Sequence, residues 1–252
     1  MSADLLVAVT IIALLVLAVV LQRLTGVGFA MMLAPFVVVM IGPHAGVMLT
    51  NVLAIVAPAL VVPLVWKDIE WSKLAIIVPA ALAVMPLFGW LAAATPQGPL
   101  YIVVAVLVIL GLSVSLVASR TSRAVDGGLA RGLTGAGVGA GVVLAGVGGP
   151  AITIYTVLSR WRIRTFAATM QPMWVMVSIG GFGTKWAISG DEFPAFPWWF
   201  WVGCLAAILT GLLIAHVIRP WVSDLLARRT VIVLAFVGAL TSLGMGIGET
   251  LG

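Results

Sequence analysis

Long stretches without a charged side chain recur throughout this chain, and they constrain its fold more than any other feature. Several run for about 20 residues, the length that a helix needs to cross the hydrocarbon core of a bilayer. Hydrophobic residues make up 63% of the 252 residues and charged residues only 8%. Because backbone groups in lipid must be paired internally, and the alternation of a membrane barrel is absent, the spans are expected to be helices. The sequence therefore predicts an all-α integral membrane protein.

Ten apolar segments can be drawn, and two of them are too short to cross a bilayer alone. The short segments, 28–41 and 149–159, each follow a glycine-rich break. Each is therefore expected to return from a hairpin or to complete a broken helix, and the sequence leaves both options open. The other predicted segments are 4–22, 44–65, 73–94, 99–118, 129–146, 165–189, 198–218 and 230–248.

The basic residues cluster in four of the loops between these segments, and this asymmetry predicts the topology. Basic residues concentrate on the cytoplasmic side of membrane proteins, so the loops that contain Lys67, Arg120, Arg160 and Arg219 are placed inside. The loops 95–98 and 189–197 contain no basic residue and are placed outside, as are both termini. The basic residues behind the net charge of +5 lie mainly in these short loops beside the spans. Topology therefore explains the charge, and no nucleic-acid partner is expected.

A glycine motif is duplicated in the two halves of the chain. Gly26-Val27-Gly28 recurs as Gly146-Val147-Gly148, 120 residues later, and at the same offset Asn51 meets Gln171. Equivalent loops of the two halves are placed on opposite sides of the membrane. The sequence therefore predicts two inverted-topology repeats, 1–120 and 126–252, each with one broken or re-entrant hairpin and three transmembrane helices. This organisation is typical of secondary transporters.

The glycine breaks predict a ligand site near the middle of the membrane. Glycine lets the backbone turn sharply and approach a ligand, and the helix that follows presents free N–H groups to an anion. The alternative is that these glycines only allow close packing of helices. The candidate residues around the two breaks are Thr25, Gly26, Gly28, Gly148, Gly149, Pro150 and Thr153.

Polar residues inside the apolar segments add to this candidate site. Asn51 and Gln171 lie near the middle of long segments, where an amide must face the protein interior. They are candidates to donate hydrogen bonds to an anion or to pair between helices. Trp174 is the one tryptophan deep inside a segment, and it is a candidate for the pocket wall or for packing.

Three basic residues close to segment ends, Arg23, His44 and Lys185, are candidates for an electrostatic or coupling role. Arg23 is expected to lie deep or to reach the inner face, where it would attract an anion. Lys185 is expected either to extend to the membrane interface or to attract anions at the outer side.

The distribution of the carboxylates narrows the class of function. All eight Asp and Glu residues lie in loops or at segment ends, whereas cation and proton transporters usually carry one within the membrane. An anion is therefore the expected substrate. The chain has no Walker motif, no HExxH motif and no His/Cys cluster, so neither ATP drive, enzymatic activity, a metal nor a cofactor is expected.

Two motifs resemble those of the sulfite exporter TauE/SafE family. Asn51 and Gln171 also fall where that family carries paired polar residues. The resemblance implies a permease of the bacterial inner membrane that moves a small sulfur oxyanion or organosulfonate, such as sulfite or sulfoacetate, outward. With the loop charges, both termini are expected in the periplasm, and the predicted repeats favour alternating access. The motifs are Gln22-Arg23-Leu24-Thr25-Gly26-Val27-Gly28-Phe29-Ala30, followed by Pro35, and Gly146-Val147-Gly148-Gly149-Pro150.

Two other functions stay open at this point. One is an uptake permease or channel-like facilitator for another small organic anion. The other is a membrane scaffold subunit in which the glycines only pack helices. The expected partners are a small anion and the lipid bilayer, with a homodimer as a further option.

Overall fold

The computed structural model describes residues 3–25, 29–117 and 125–251, and all the regular structure within them is helical. Single turns of 3-10 helix, Trp66–Asp68 and Gly190–Glu192, follow the third and the eighth α-helix. The ten α-helices are α1 (Ala3–Thr25), α2 (Phe29–Ile41), α3 (Pro43–Val65), α4 (Trp71–Ala93), α5 (Gln97–Val117), α6 (Gly128–Ala145), α7 (Gly149–Leu158), α8 (Ile163–Ser189), α9 (Trp198–Ile218) and α10 (Asp224–Leu251).

The prediction of an all-α membrane protein is confirmed. Six of the described helices, α1, α3, α4, α6, α9 and α10, are long and apolar enough to cross a bilayer. Helix α8 has 27 residues but is too polar to belong to this group. It carries Gln171, Ser178 and Lys185, all of which are buried inside the protein.

The predicted segment boundaries are close to the observed ones, and two helices extend further into polar sequence. Helix α1 continues through Gln22 and Arg23 to Thr25, and α10 begins at Asp224 rather than at 230. Both extensions consist mainly of residues that favour helix, and neither contains glycine or proline. A polar residue marks where a helix leaves the lipid, whereas the helix itself ends further along the chain.

Helix boundaries in the two halves repeat with the spacing of the glycine motif, 120 residues. This spacing is consistent with the predicted repeats, whose limits at 1–120 and 126–252 stay a prediction. The matching boundaries are the ends of α1 and α6 at Thr25 and Ala145, the starts of α2 and α7 at Phe29 and Gly149, and the starts of α3 and α8 at Pro43 and Ile163.

Two pairs of predicted repeat mates run in opposite directions. Helices α3 and α8 are antiparallel, because His44 contacts Lys185 at one end of the pair and Asp68 contacts Arg164 at the other. Helices α5 and α10 are also antiparallel, with Gly98 near Thr250 and Tyr101 near Ser242. Two pairs of packed helices that are not predicted repeat mates run parallel: α4 with α6, and α1 with α9. These directions are the ones that an inverted repeat requires, so the structure is consistent with it.

Helices α6 and α7 form a hairpin. The N–H of Val125, just before α6, donates to the carbonyl of Leu158 at the end of α7, at 2.8 Å. Midway along the hairpin, Gly137 lies against Ala151. Helix α7 therefore returns to the end of the molecule from which α6 started, as a re-entrant arm does.

Ion pairs gather at one end of the molecule, which we name the basic end and define by Asp68, Arg131 and Arg164. Arg164 pairs with Asp68 at 2.9 Å, and Arg131 pairs with Asp126 at 3.0 Å. The far end, which contains Gly98 and Lys185, we name the opposite end. By the predicted topology, the basic end is cytoplasmic.

Candidate functional site

A buried cavity lies where the first turn of α2 meets the first turn of α7. A Cβ atom on Gly149 would lie 2.9 Å from Sδ of Met31, and a Cβ atom on Gly146 would lie 3.5 Å from Cβ of Ala34. The empty space here, counted together with the open solvent that it meets, is about 440 Å³. The cavity therefore sits between α2 and α7, beside the second glycine break.

Residues from both halves line this cavity at equivalent positions. Gln22 and Val142 are related by the offset of 120 residues, and so are Phe29 and Gly149. A third pair, Ala54 and Trp174, is related in the same way. Equivalent positions of the two predicted repeats thus line the cavity together. At one of these positions the first repeat has the small Ala54 where the second has the large Trp174.

Neutral polar groups provide the hydrogen-bonding capacity of the cavity. Gln22, Asn51 and Ser178 line it and are 7%, 1% and 3% exposed. Nδ2 of Asn51 also lies 3.4 Å from the carbonyl oxygen of Val142, a long and weak contact. Among the described lining residues there is no charged side chain. The site offers hydrogen bonds without the large cost of burying a charge.

The turn between α6 and α7 brings backbone N–H groups to the cavity. Helix α6 ends at Gly146, whose φ of +68° lies in the left-handed region that favours glycine. After Gly148, α7 begins at Gly149 with Pro150 in its first turn. Because the first N–H groups of a helix have no partner within it and carry its positive dipole end, this turn is suited to an anion.

A side chain at Gly148 would intrude into this region. A Cβ atom there would lie 2.9 Å from Cγ2 of Val142 and 3.1 Å from the ring of Trp174. Glycine is therefore required at this position for close approach, which agrees with the interpretation of the motif as a backbone turn beside a ligand.

A smaller cavity, about 210 Å³ with its open solvent included, continues from the first toward the basic end. Gln22 lines both cavities, and the smaller one is also lined by Gln171 and Arg23. Arg219 lies close enough to Arg23 for their charges to interact. Polar and basic groups thus mark a route from the main cavity to the basic end.

The structure brings together some of the predicted site residues and separates others. Asn51, Gly148, Gly149 and Trp174 line the main cavity, and Gln171 and Arg23 line the smaller one. Gly26 and Gly28 lie outside the described residues. His44 and Lys185 are at the opposite end.

Two threonines of the predicted site bond to their own helices. The hydroxyl of Thr153 donates to the carbonyl of Gly149 at 2.8 Å, and that of Thr25 donates to Leu21 at 2.7 Å. Neither threonine lines the two cavities, and neither does Pro150. Such bonds to the preceding turn are the usual local alternative for a threonine inside a helix.

Two polar lining residues, Gln22 and Ser178, are absent from the predicted site. Ser178 lies on the face of α8 that also carries Gln171 and Trp174, because positions three, four and seven apart share a helix face. This periodicity was visible in the sequence. Gln22 is followed by Arg23, so the sequence at this point resembles the end of a transmembrane segment rather than a buried position.

Lys185 does not extend to the membrane interface, so the first of its two expected positions is wrong, and its electrostatic or coupling role stays a prediction. Its side chain is 1% exposed, and its Nζ lies 2.8 Å from Nδ1 of His44, which is 5% exposed. The physical reason is that Lys185 lies on the face of α8 that packs against α3, so the side chain meets a nitrogen acceptor inside the protein instead of lipid.

The fold and the cavity define a multi-pass helical membrane protein with a largely apolar internal cavity that carries the polar side chains of Gln22, Asn51 and Ser178. The profile of the family described as Sulfite exporter TauE/SafE matches residues 11–242, and the chain belongs to this family. The predicted family is thus confirmed. No similar curated protein and no similar solved structure was found. Membership supports a membrane transporter of sulfur anions and is consistent with a protein that is not an enzyme.

Proposed function

We propose that this protein is a secondary transporter that exports a small sulfur oxyanion or organosulfonate, such as sulfite or sulfoacetate, across the bacterial inner membrane. The observation that carries the proposal is the cavity between the two hairpins, which both halves line at equivalent positions. In transporters built from inverted repeats, the substrate site lies at the repeat interface near the middle of the membrane.

The chemistry of the lining favours an anion with several oxygen atoms. The amides of Gln22 and Asn51 and the hydroxyl of Ser178 can each donate to such an oxygen, and the first turn of α7 adds backbone N–H groups. A sulfite or sulfonate group presents three oxygens in a compact arrangement. A cation would instead require carboxylates, which the described lining does not contain.

The charge distribution supports movement from the cytoplasm outward. Arg23 lines the smaller cavity, and Arg219 lies close enough to add to its positive charge. Together they would raise the local concentration of anions where this cavity faces the basic end of the molecule. Export of an anion from a negative interior releases about 2.3 kcal/mol per charge for each 100 mV of membrane potential. The potential alone is then sufficient to drive export.

Access to the cavity alternates by relative movement of the two halves. In the present conformation the route marked by Gln22 and Gln171 leads toward the basic end. Toward the opposite end, the buried pair of His44 and Lys185 closes the interface between α3 and α8. Rocking of one repeat against the other would separate this pair and close the inner route.

Flux measurements in proteoliposomes test the proposal. Efflux of sulfite, sulfoacetate, isethionate and taurine is measured at an imposed potential, negative inside. We expect at least one of these anions to leave faster as the potential increases. Asn51→Leu removes a donor to a charged ligand and is expected to raise the half-saturating concentration by about tenfold or more.

The matched control is Gln97→Leu, which replaces an exposed amide at the start of α5. This variant is expected to transport like the wild type. Absence of flux for every tested anion would contradict the proposed function. Equal flux in the wild type and Asn51→Leu would contradict the position of the site. Flux that shows no counterflow would instead support the channel-like facilitator.

A further inference from the structure

The contact between His44 and Lys185 is a second polar site, separate from the cavity. We propose that this pair binds a proton and that its release is coupled to anion transport. The inference rests on the proposed function and assigns to it a coupling ion. The pair joins α3 to α8, which are repeat mates, at the opposite end of the molecule.

The geometry fits two basic groups that share a proton. Nζ of Lys185 and Nδ1 of His44 are 2.8 Å apart, a normal hydrogen-bond distance. One nitrogen must donate and the other must accept, and in the proposed protonated state the ammonium group of Lys185 donates to an unprotonated Nδ1 of His44. Release of one proton leaves a neutral amine and a neutral imidazole, and no other atom or electron is exchanged.

Few other ionisable groups act on this pair. Glu192, in the 3-10 turn after α8, is the carboxylate whose charge reaches Lys185. Helix α2 contains no ionisable residue, and α5 contributes the buried Tyr101, which interacts with Glu249. The helices α4 and α6 carry theirs toward the basic end, at Lys73 and Arg131. Helix α9 carries the buried thiol of Cys204 near its start and His216 near its end.

The burial of the pair links its protonation to conformation. Both side chains are at least nine-tenths buried, at 1% and 5% exposure. A buried charge is costly unless it is paired, and its cost falls when water reaches it. Separation of α3 from α8 at this end would hydrate the pair and change its affinity for a proton. The proton would then exchange with the outer solution in the outward-open state, and in the inward-open state it would leave along the interface between α3 and α8 toward the anion cavity and the inner route.

The pair also lies on the same faces of α3 and α8 as the residues that line the anion cavity. His44 precedes Asn51 by two turns of α3, and Lys185 follows Ser178 by two turns of α8. Between these levels, a Cβ atom on Gly181 would lie 3.0 Å from Nδ2 of Asn51. The interface between α3 and α8 therefore connects the anion site to the proton site. This pair takes the place of the membrane carboxylate that proton-coupled transporters usually carry.

Isethionate is a suitable substrate for the test, because its sulfonate group stays ionised and carries no proton near neutral pH. Proteoliposomes are loaded with a fluorescent pH indicator, and an isethionate gradient is imposed with the potential clamped. In the wild type we expect isethionate movement to drive proton movement. If another sulfonate of the tested set is the transported one, it replaces isethionate.

Lys185→Arg separates charge from proton exchange, because arginine keeps the positive charge but does not deprotonate in proteins. We expect this variant to retain isethionate exchange and to lose proton movement by at least tenfold. His44→Asn replaces the imidazole by an amide, which cannot relay a proton, and is expected to have the same effect. The matched control, Lys73→Arg, makes the same substitution in the ion pair with Glu70 at the basic end and is expected to leave proton movement unchanged.

Isethionate exchange in each variant shows that the protein is folded and inserted. Isethionate movement without proton movement in the wild type would overturn this inference and leave the proposed function intact. Wild-type proton movement in both Lys185→Arg and His44→Asn would overturn it as well. If no anion moves in the wild type, the proposed function fails and the coupling fails with it.

Discussion

Gly149, the first residue of α7, lies directly against Met31 of α2, so that a Cβ atom on the glycine would be 2.9 Å from Sδ of the methionine. This contact joins the two hairpins of the molecule beside the cavity. It also places a flexible side chain, rather than backbone, next to a glycine of the duplicated motif. Substitutions at the glycines can therefore separate effects on the site from effects on the fold.

Gly149→Ala is expected to preserve folding and to impair transport. The long side chain of Met31 can move away from an added methyl group, but the space at the start of α7 becomes smaller. We expect a several-fold lower rate of anion efflux with little change in the thermal unfolding midpoint in detergent.

Gly139→Ala provides the contrasting case. A Cβ atom there would overlap the carbonyl oxygen of Ala81 in the neighbouring helix α4, and backbone cannot move aside easily. We expect this variant to lose about 1–3 kcal/mol of stability. If Gly139→Ala unfolds like the wild type, or if Gly149→Ala transports like it, the assignment of these two roles is wrong.

Arg23→Gln is expected to weaken the capture of anions from the cytoplasmic side. Arg23 lines the smaller cavity, and Arg219 adds to its positive field. We expect the half-saturating concentration for anions at the basic end to rise by about tenfold at low ionic strength, and the difference from the wild type to shrink as salt screens the charges. The measurement is initial efflux from proteoliposomes at several salt concentrations. A difference that does not depend on salt would contradict an electrostatic role.

Asp126 is expected to make the hairpin of α6 and α7 sensitive to acid. Hydrogen bonds from Arg131 and from the hydroxyl of Tyr155, which lies 2.6 Å from the carboxylate, hold the pKa of Asp126 well below its usual range. The group therefore stabilises the fold above the ordinary aspartate pKa of about 4, and this contribution is lost as the pH falls toward the lowered value.

Asp126→Asn tests this expectation. Because the carboxylate is 41% exposed, we expect a loss of only about 1 kcal/mol at pH 7. The difference in unfolding midpoint between the variant and the wild type should be constant from pH 8 to 5 and should narrow in more acidic buffer. A difference that grows as the pH falls would contradict the assignment.

The two ends of the molecule are predicted to face opposite sides of the membrane. In a Cys204→Ala background, a cysteine at Gln97 marks the opposite end and a cysteine at Arg162 marks the basic end; both positions are exposed. Applied to intact cells, a thiol reagent that does not cross the membrane should label Gln97→Cys and leave Arg162→Cys unlabelled. Labelling of both variants from the same side would exclude the inverted topology.

The sequence predicted the helices well, because apolar length and glycine breaks are local properties. The starts of α7 and α9, at Gly149 and Trp198, coincide with the predicted limits. The start of α10 did not, because Arg228 and Arg229 were interpreted as the end of a loop. Charged residues that favour helix can continue a helix beyond the lipid, so charge locates the membrane boundary and not the helix boundary.

The site was predicted only in part, because side-chain partners depend on tertiary packing. Asn51 and Trp174 were candidates on account of polarity and depth, and both line the cavity. The pairing of His44 with Lys185 joins residues far apart in sequence, and no local pattern indicates it. Thr153 shows the opposite case, since a bond to its own helix satisfies a hydroxyl that looked available for a ligand.

The central claim is that the transported anion occupies the cavity between the hairpins. Protection of a cysteine inside that cavity tests the claim most directly. Ser178 lines the cavity, and none of the described lining residues is charged. Ser178→Cys in the Cys204→Ala background therefore gives a small, neutral probe. Its rate of reaction with a small thiol reagent is measured with increasing sulfoacetate, at constant ionic strength.

We predict that sulfoacetate slows the reaction of Ser178→Cys at the concentrations that saturate transport. It should leave the reaction of Gln97→Cys, outside the cavity, unchanged. Transport of sulfoacetate without any protection of Ser178→Cys would contradict the account, because the anion would then cross the protein by another route.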